Sequence, residues 1–583
     1  LISVWLDEDF VMRQWLAFAL FTVPLCGAAT TITVNSTDDT VANDGHCTMR
    51  EAIAAANNNV ASGGMPGECA AGQPGPVIDT IAFNIPGSGV HTITPATSYA
   101  QIADIVLIDG YTQPGAHANT LSVGDDAVLL IAFDAPSLTD PLFYFHGSKF
   151  GGGESGGSTV RGLAIHHFDH APAFGIGTGF GNGANNITLQ GNFIGTGADD
   201  NSNASPISCE SSTGLIVGGA APAARNVITA GGSDGVELNQ CSNGIVQGNY
   251  IGLSADGTAK LGNLFNGIQV IQGGNGNLIG GPNPGEGNVI AGTTQSAIKI
   301  DTSDGAIIQG NFLGTDASGT GPIGNPFGVI LSTSTNTLIG GPGEGDGNVI
   351  SGNDFGMRSD QALTTTIQGN AFGVDVAGSP LPNRASAILI ASGSAISQGL
   401  IGGTAPGEGN VIANNCGAGV NIQNGVAQWT ILGNSMSENS GLGIALQGGA
   451  GPTSNDPGDG DTGCNNLQNY PVLTAASVTG GVATISGTFN SEPSKQYRLE
   501  FFSSIECNKS GFGEGRTLLG FRNLTTDASG NASFGPLTFP GAPNNETAFS
   551  ATATDPDGNT SEFSLCVGGI GRIFANGFQF QCQ

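Results

Sequence analysis

Basic residues are scarce in this chain. Lysine and arginine number 15 in 583 residues against 46 aspartates and glutamates, and charged residues of both signs make up only 10%, where soluble domains ordinarily carry about 25%. With a formal net charge of −31, the chain lacks the cations that neutralise phosphates, which excludes nucleic acid as a partner. The same charge opposes docking on anionic lipid. Long hydrophobic runs are also missing: the best, residues 15–25, is too short to span a bilayer, which takes about 20 apolar residues. No GxSxG, HExxH, phosphate-binding loop or dinucleotide fingerprint occurs in a credible context. Low charge does not mean disorder here, because hydrophobic residues reach 39% and Ile and Val recur in phase.

What is abundant is glycine, 97 residues, more than twice the usual share of about 7%. It falls within a repeat. QGNFIG, QGNYIG, QGNFLG and QGNAFG place Asn192, Asn249, Asn311 and Asn370 at a spacing near 60 residues, with a weaker copy at Asn434. A second marker, NVI, keeps the same pace at Asn226, Asn288, Asn348 and Asn410. A fixed period of this kind is the signature of a solenoid. Short strands follow each marker, such as Val236-Glu237-Leu238-Asn239, Ile268-Gln269-Val270-Ile271, Ile298-Lys299-Ile300-Asp301 and Met357-Arg358-Ser359-Asp360. Their first and third positions are mostly apolar, the period of two of a half-buried strand. The strands recur about every 30 residues, so each repeat holds two turns of the solenoid. The fold expected is all-β: a parallel β-solenoid of about a dozen turns, with the recurrent Asn residues stacked as ladders.

Both ends carry different patterns. Thr48-Met49-Arg50-Glu51 is a capping box that opens a short N-terminal helix covering the first turn. After residue 470 alternating strands of 5–8 residues are separated by turn sequences, which predicts a C-terminal Ig-like β-sandwich. The boundaries read are 1–29 for upstream residues and a signal peptide, and 30–135 for the cap and first turns. They continue with 136–467 for the β-helix repeats, 468–568 for the sandwich and 569–583 for a tail. Met12 and Arg13, the apolar run and Gly27-Ala28-Ala29 make the secretory signal. Export permits disulfides. Nearness in sequence favours Cys47–Cys69, Cys209–Cys241, Cys416–Cys464 and Cys507–Cys566, leaving Cys582 over.

The segment CTMREAIAAAN (residues 47–57) resembles the N-terminal motif of bacterial CSLREA-domain proteins, and IDGYTQPGAHANT (108–120) resembles a segment that they share. The IGG…PGEGNVI units are similar to their right-handed parallel β-helix repeats. NDPGDGDTGCNNLQNYPVL (455–473) and SGFGEGRTLLG (510–520) resemble the junction and sandwich that follow, and RIFANGF the tail of some exported Gram-negative proteins. The resemblance implies a right-handed parallel β-helix in an exported or surface protein, on the exterior of a Gram-negative outer membrane, and carries over no catalytic residues. Thr48 and Met49 stand where the family usually has Ser and Leu.

Three constellations could carry chemistry. Aligning the strands puts Glu237, Lys299 and Arg358 in one outward column and Asp301 and Asp360 in the next. An elongated glycan could lie across them, and a lyase would need such a base and cation; ordinary cross-strand ion pairs on a solvated face are the simpler alternative. His166-His167-Phe168-Asp169-His170 could ligate metal, although alternation puts the first two on opposite faces, as in a polar turn. Asp456, Asp459 and Asp461, alternating with Gly, could wrap Ca²⁺ or make an Asx-rich linker. The repeats lack the nonapeptides of Ca²⁺-binding rolls. The residues favour a non-catalytic exported rod that binds surface glycans or mediates adhesion. The alternatives are a polysaccharide lyase, hydrolase or epimerase of the pectate-lyase-like β-helix type, and a purely structural surface rod.

Overall fold

The computed structural model describes residues 29–147, 155–168, 170–177, 183–195, 205–229, 233–262, 265–391, 397–447, 451–568 and 582. The expected signal peptide and the RIFANGF tail lie outside them. Each turn of the solenoid contributes three short strands to three parallel sheets of 13, 12 and 11 strands, and the winding is a right-handed parallel β-helix, the hand favoured for parallel crossovers. In the central turns the first sheet takes Ile245–Gln247, the second Tyr250–Ile251 and the third Asn266–Ile271. The next turn supplies Leu278–Gly280, Val289–Ile290 and Ser296–Asp301. Their inward Ile, Val and Leu side chains form one continuous core along the rod.

The 60-residue period hides a 30-residue one. The Asn of the Gly-Asn marker and the Asn of NVI alternate in a single ladder at the corner between the first and second sheets. Asn249 donates from its backbone N and Nδ2 to Asn288 Oδ1 (3.1 and 3.0 Å), and Asn288 donates likewise to Asn311 Oδ1 (3.1 and 2.9 Å). The ladder runs from Asn192 to Asn434. A second ladder, Asn325, Asn353, Asn383, Asn415 and Asn439, occupies the corner between the second and third sheets. What alternates is the loop. The PGEG-type turns occur on every second turn of the helix and stack on one another: at Gly345 (φ +86°) a Cβ would lie 2.0 Å from Pro282 O.

The expected cap is present. Helix Met49–Asn58 has a complete capping box between Thr48 and Glu51 and lays Ala52, Ile53, Ala55 and Ala56 on the first turn. The IDGYTQPG segment is structural: Asp109 pairs with Arg161 at 2.7 Å, Tyr111 donates its hydroxyl to Gly191 O, and Gln113 hydrogen-bonds both the N and O of Ile85. At the other end two antiparallel sheets, of three and four strands between Val472 and Gly568, close over a shared core that includes Ile485, Phe489, Leu499, Phe501 and Phe549. This is the Ig-like sandwich.

Cys47–Cys69, Cys209–Cys241 and Cys507–Cys566 are bonded as expected. The expected Cys416–Cys464 bond is not. Cys416 pairs with Cys582, 166 residues away, and Cys464 is a buried free thiol. Sequence distance misleads because the two are at different corners of the helix. Cys416 follows Asn415 of the second ladder, whereas Cys464 precedes Asn465, which accepts from Trp429 N in the last strand of the first sheet.

The sandwich also plugs the rod. Phe502 and Phe563 enter the rod's core, and each sheet's last turn donates to a glutamate of the sandwich. Gly433 N reaches Glu500 (3.0 Å), Asn439 Nδ2 reaches Glu514 (2.8 Å), and Leu446 N and Thr453 N reach Glu562 (2.8 and 2.7 Å). Burial pushes Glu514 and Glu562 up to about 7, against the hydrogen bonds of Asn439 and of Leu446 and Thr453 that hold them down. A carboxyl raised in the folded state contributes stability that is complete below its ordinary value of 4.5 and is lost as pH rises through about 7. The melting temperature should therefore fall between pH 5 and 8, and Glu514→Gln, which keeps an acceptor for Asn439, should flatten part of that fall in thermal scans. A slope unchanged by the substitution would contradict the assignment.

Removing a ladder rung should be costly, since an unsatisfied buried polar group costs about 1–3 kcal/mol. Asn288→Ala strips the acceptor from Asn249 and the donor from Val246 O. We expect a loss of about 2–4 kcal/mol in urea unfolding. Gln269→Ala, on the outer face, should stay within about 0.5 kcal/mol of the parent.

Candidate functional site

The third sheet turns one side inward and the other outward, so its register decides which side chains share a surface. That register runs from Tyr144 through Gly175, Ser208, Glu237, Gln269, Lys299, Ile330, Arg358, Leu389 and Asn421 to Ala445. The adjoining column holds Glu210, Asn239, Ile271, Asp301, Ser332 and Asp360. At about 4.8 Å per strand the face is about 50 Å long.

Charge falls on alternate strands. Lys299 Nζ lies 3.3 Å from Asp301 Oδ2, and Arg358 Nε lies 2.7 Å from Asp360 Oδ2, two strands further on. The two pairs are thus roughly 10 Å apart. Between and beyond them stand Ile330 and Leu389, which are almost covered. Arg358 remains 41% exposed beside Asp360 at 26%, so the pair is reached from outside through other atoms than Arg358 Nε and Asp360 Oδ1, which are buried. Glu237 is two strands from Lys299 on the other side. It accepts from Ser205 Oγ at 3.1 Å, and burial, reinforced by the charges of Asp234 and Glu210, raises its pKa. Asp234 is raised by burial as well, and accepts from Asn266 N and Nδ2.

One feature of this face is absent from the reading of the sequence alone. Phe327 and Phe355 begin the strands that carry Ile330 and Arg358, and their rings stack with centroids 5.2 Å apart at 16°. Period-two alternation would put Phe355 and Arg358 on opposite sides. Gly356 breaks the alternation by facing inward, where a Cβ would meet Phe372 Cδ1 at 3.0 Å. Met357 is buried too, so both Phe355 and Arg358 face out. The Phe-Gly pair in both strands is the signal that could have revealed it.

The aspartates between rod and sandwich do converge. Carboxylate oxygens of Asp456, Asp459 and Asp461 lie within 4.8 Å of one another. Asp459 accepts from Gln468 Nε2, Asn469 N and Ser491 Oγ, and Asp456 Oδ2 accepts from Gly460 N. Asp456 Oδ1 and Asp461 Oδ1 are buried with no partner. Burial, with the charges of Asp456 and Asp461, pushes Asp459 up to about 6. Clustered carboxylates with orphaned oxygens fit a hard divalent cation such as Ca²⁺. Added Ca²⁺ should raise the melting temperature at pH 7 and less so at pH 5, where the proton competes. Asp459→Asn should abolish the rise; an equal rise in that variant would place the ion elsewhere.

The histidine run divides. His166 ends the second-sheet strand Leu163–His166, His167 Nδ1 pairs with Asp134 Oδ1 at 2.8 Å, and His170 is exposed. Asp169 lies outside the described residues.

No protein-family model and no curated protein matches the chain. Among solved structures it is similar to the A-module of the Azotobacter vinelandii mannuronan C-5 epimerase AlgE4 (12% identity, 64% of this chain and 91% of that one, TM-score 0.39). It is also similar to the Dettilon tailspike protein (14%, 83% and 88%, 0.34) and to the alginate lyase from Paenibacillus sp. (13%, 65% and 92%, 0.17). At these scores the reading of function rests on this chain's own residues.

Proposed function

We propose that the chain is an exported β-helix rod, of the kind its CTMREAIAAAN motif resembles, that binds an extended glycan along the outer face of the third sheet. The observation that carries this is the arrangement on that face: two ion pairs, Lys299–Asp301 and Arg358–Asp360, stand two strands apart with Ile330 between them, beside the Phe327–Phe355 stack. Sugar rings present hydroxyl edges to polar groups and C–H faces to apolar ones; the ion pairs suit the first and the partly exposed Phe327 and Phe355 the second. Four disulfides support an oxidising compartment outside the cytoplasm.

Binding suits the geometry better than turnover. Asp301 and Asp360 are each held by the cation of their own strand, Asp234, whose charge Lys299 also feels, is held by Asn266, and Glu237 is roughly 10 Å from Lys299. The full chain should be retained in affinity gels containing its polysaccharide without releasing new reducing or unsaturated ends. Lys299→Ala and Arg358→Ala should each weaken retention roughly tenfold, about 1.4 kcal/mol, with melting unchanged. New chain ends that disappear with either substitution would instead establish a polysaccharide-cleaving enzyme.

A further inference from the structure

We infer that the glycan taken by this face is neutral and linear, and that it lies along the rod axis with one disaccharide repeat for every two strands. This rests on the reading of the third sheet as a glycan-binding surface and adds to it the chemistry, direction and register of the ligand.

Neutrality follows from the charges. Among the described residues Lys299 and Arg358 are the only Lys or Arg in the two outward columns, and each is matched by an aspartate two residues along its own strand. A polyuronate or sulfated chain would therefore meet no unbalanced positive charge. It would also run past Glu237, Glu210 and the neighbouring Asp234, on a chain of net charge −31. An intact ion pair suits neutral hydroxyls: adjacent hydroxyls of one pyranose can donate to the carboxylate and accept from the guanidinium or ammonium. Such hydroxyls reach the pairs through their exposed parts, 41% of Arg358 and 31% and 26% of Asp301 and Asp360.

Direction and register follow from the alternation. Travelling along the rod, a ligand meets Lys299/Asp301, then Ile330/Ser332, then Arg358/Asp360, then Leu389. The polar-to-polar step is roughly 10 Å, close to the two-sugar repeat of a straight β-1,4-linked chain. In such a chain successive rings are turned over, so one unit of each disaccharide meets an ion pair and the other passes the strand between, where Ile330 is nearly covered and Phe327 stands alongside. Phe327 and Phe355, partly exposed and stacked across neighbouring strands, flank the same two steps and can take ring C–H groups. A chain running along a strand, at right angles to the rod axis, would meet only one such pair.

The test is calorimetric titration of the full chain with cellohexaose and mannohexaose, against hexamers of galacturonate and mannuronate, at low and high salt. The parent is compared with Lys299→Ala, Arg358→Ala and Arg358→Lys, each checked for an unchanged melting temperature. We expect binding of a neutral hexamer, insensitive to salt and weakened tenfold or more in both alanine variants. Arg358→Lys should be only partly restored, and affinity should step up with each added disaccharide between the dimer and the hexamer. Preference for a uronate hexamer, or affinity that collapses in high salt, would overturn the inference but leave the glycan-binding face standing, provided that the alanine variants still lose it. Binding untouched by those variants, or no binding of any hexamer, would overturn both.

Discussion

A buried primary amide is tolerated only if its donors and acceptor are all used, and in this protein each corner amide is satisfied by the amide of the next turn. Asn249, Asn288, Asn311 and Asn348 each accept from the turn before and donate to the turn after. A turn added out of phase would leave a pair of orphaned groups. The ladders therefore impose one register on all three sheets, whatever the loops between them do. That constraint brings Lys299 and Arg358, 59 residues apart in the chain, into one column two strands apart.

A ladder must also stop. At the N-terminal end a helix with a closed capping box lies across the first turn. At the C-terminal end the second amide ladder is terminated by the Glu514 carboxyl, and the last turns of the first and third sheets donate to Glu500 and Glu562. The sandwich is thus the rod's end-piece as well as a domain with its own core. Its three carboxyls substitute for the next turn's acceptors, and their burial raises the pKa of each. The Asp456, Asp459 and Asp461 cluster lies on the connection between the two units, where an ion would tie the linker to Gln468 and Ser491.

The parts legible in the sequence are those fixed by local periodicity. The strand alternation, the turn length, the ladder asparagines, the helix cap and the pairing columns all follow from spacing, because insertions fall in the loops and never within the third-sheet strands of the central repeats. Tertiary proximity was not legible in the same way. Cys582 finds Cys416 across 166 residues, and the three capping glutamates are isolated acids in a sandwich sequence with nothing local to mark them as buried. The Phe327–Phe355 stack escaped because a strict period of two cannot represent two consecutive inward residues, Gly356 and Met357. The aspartate cluster could be read as a composition pattern, whereas its convergence and its orphaned oxygens required coordinates.

Side-chain footprinting reads directly whether ligand lies on the outer face of the third sheet. Hydroxyl-radical oxidation followed by mass spectrometry, with and without saturating cellohexaose or mannohexaose, should show Phe327 and Phe355 protected by the sugar. Phe521, 50% exposed on the sandwich, should oxidise equally in both samples. Protection at the sandwich with Phe327 and Phe355 unchanged would contradict the account.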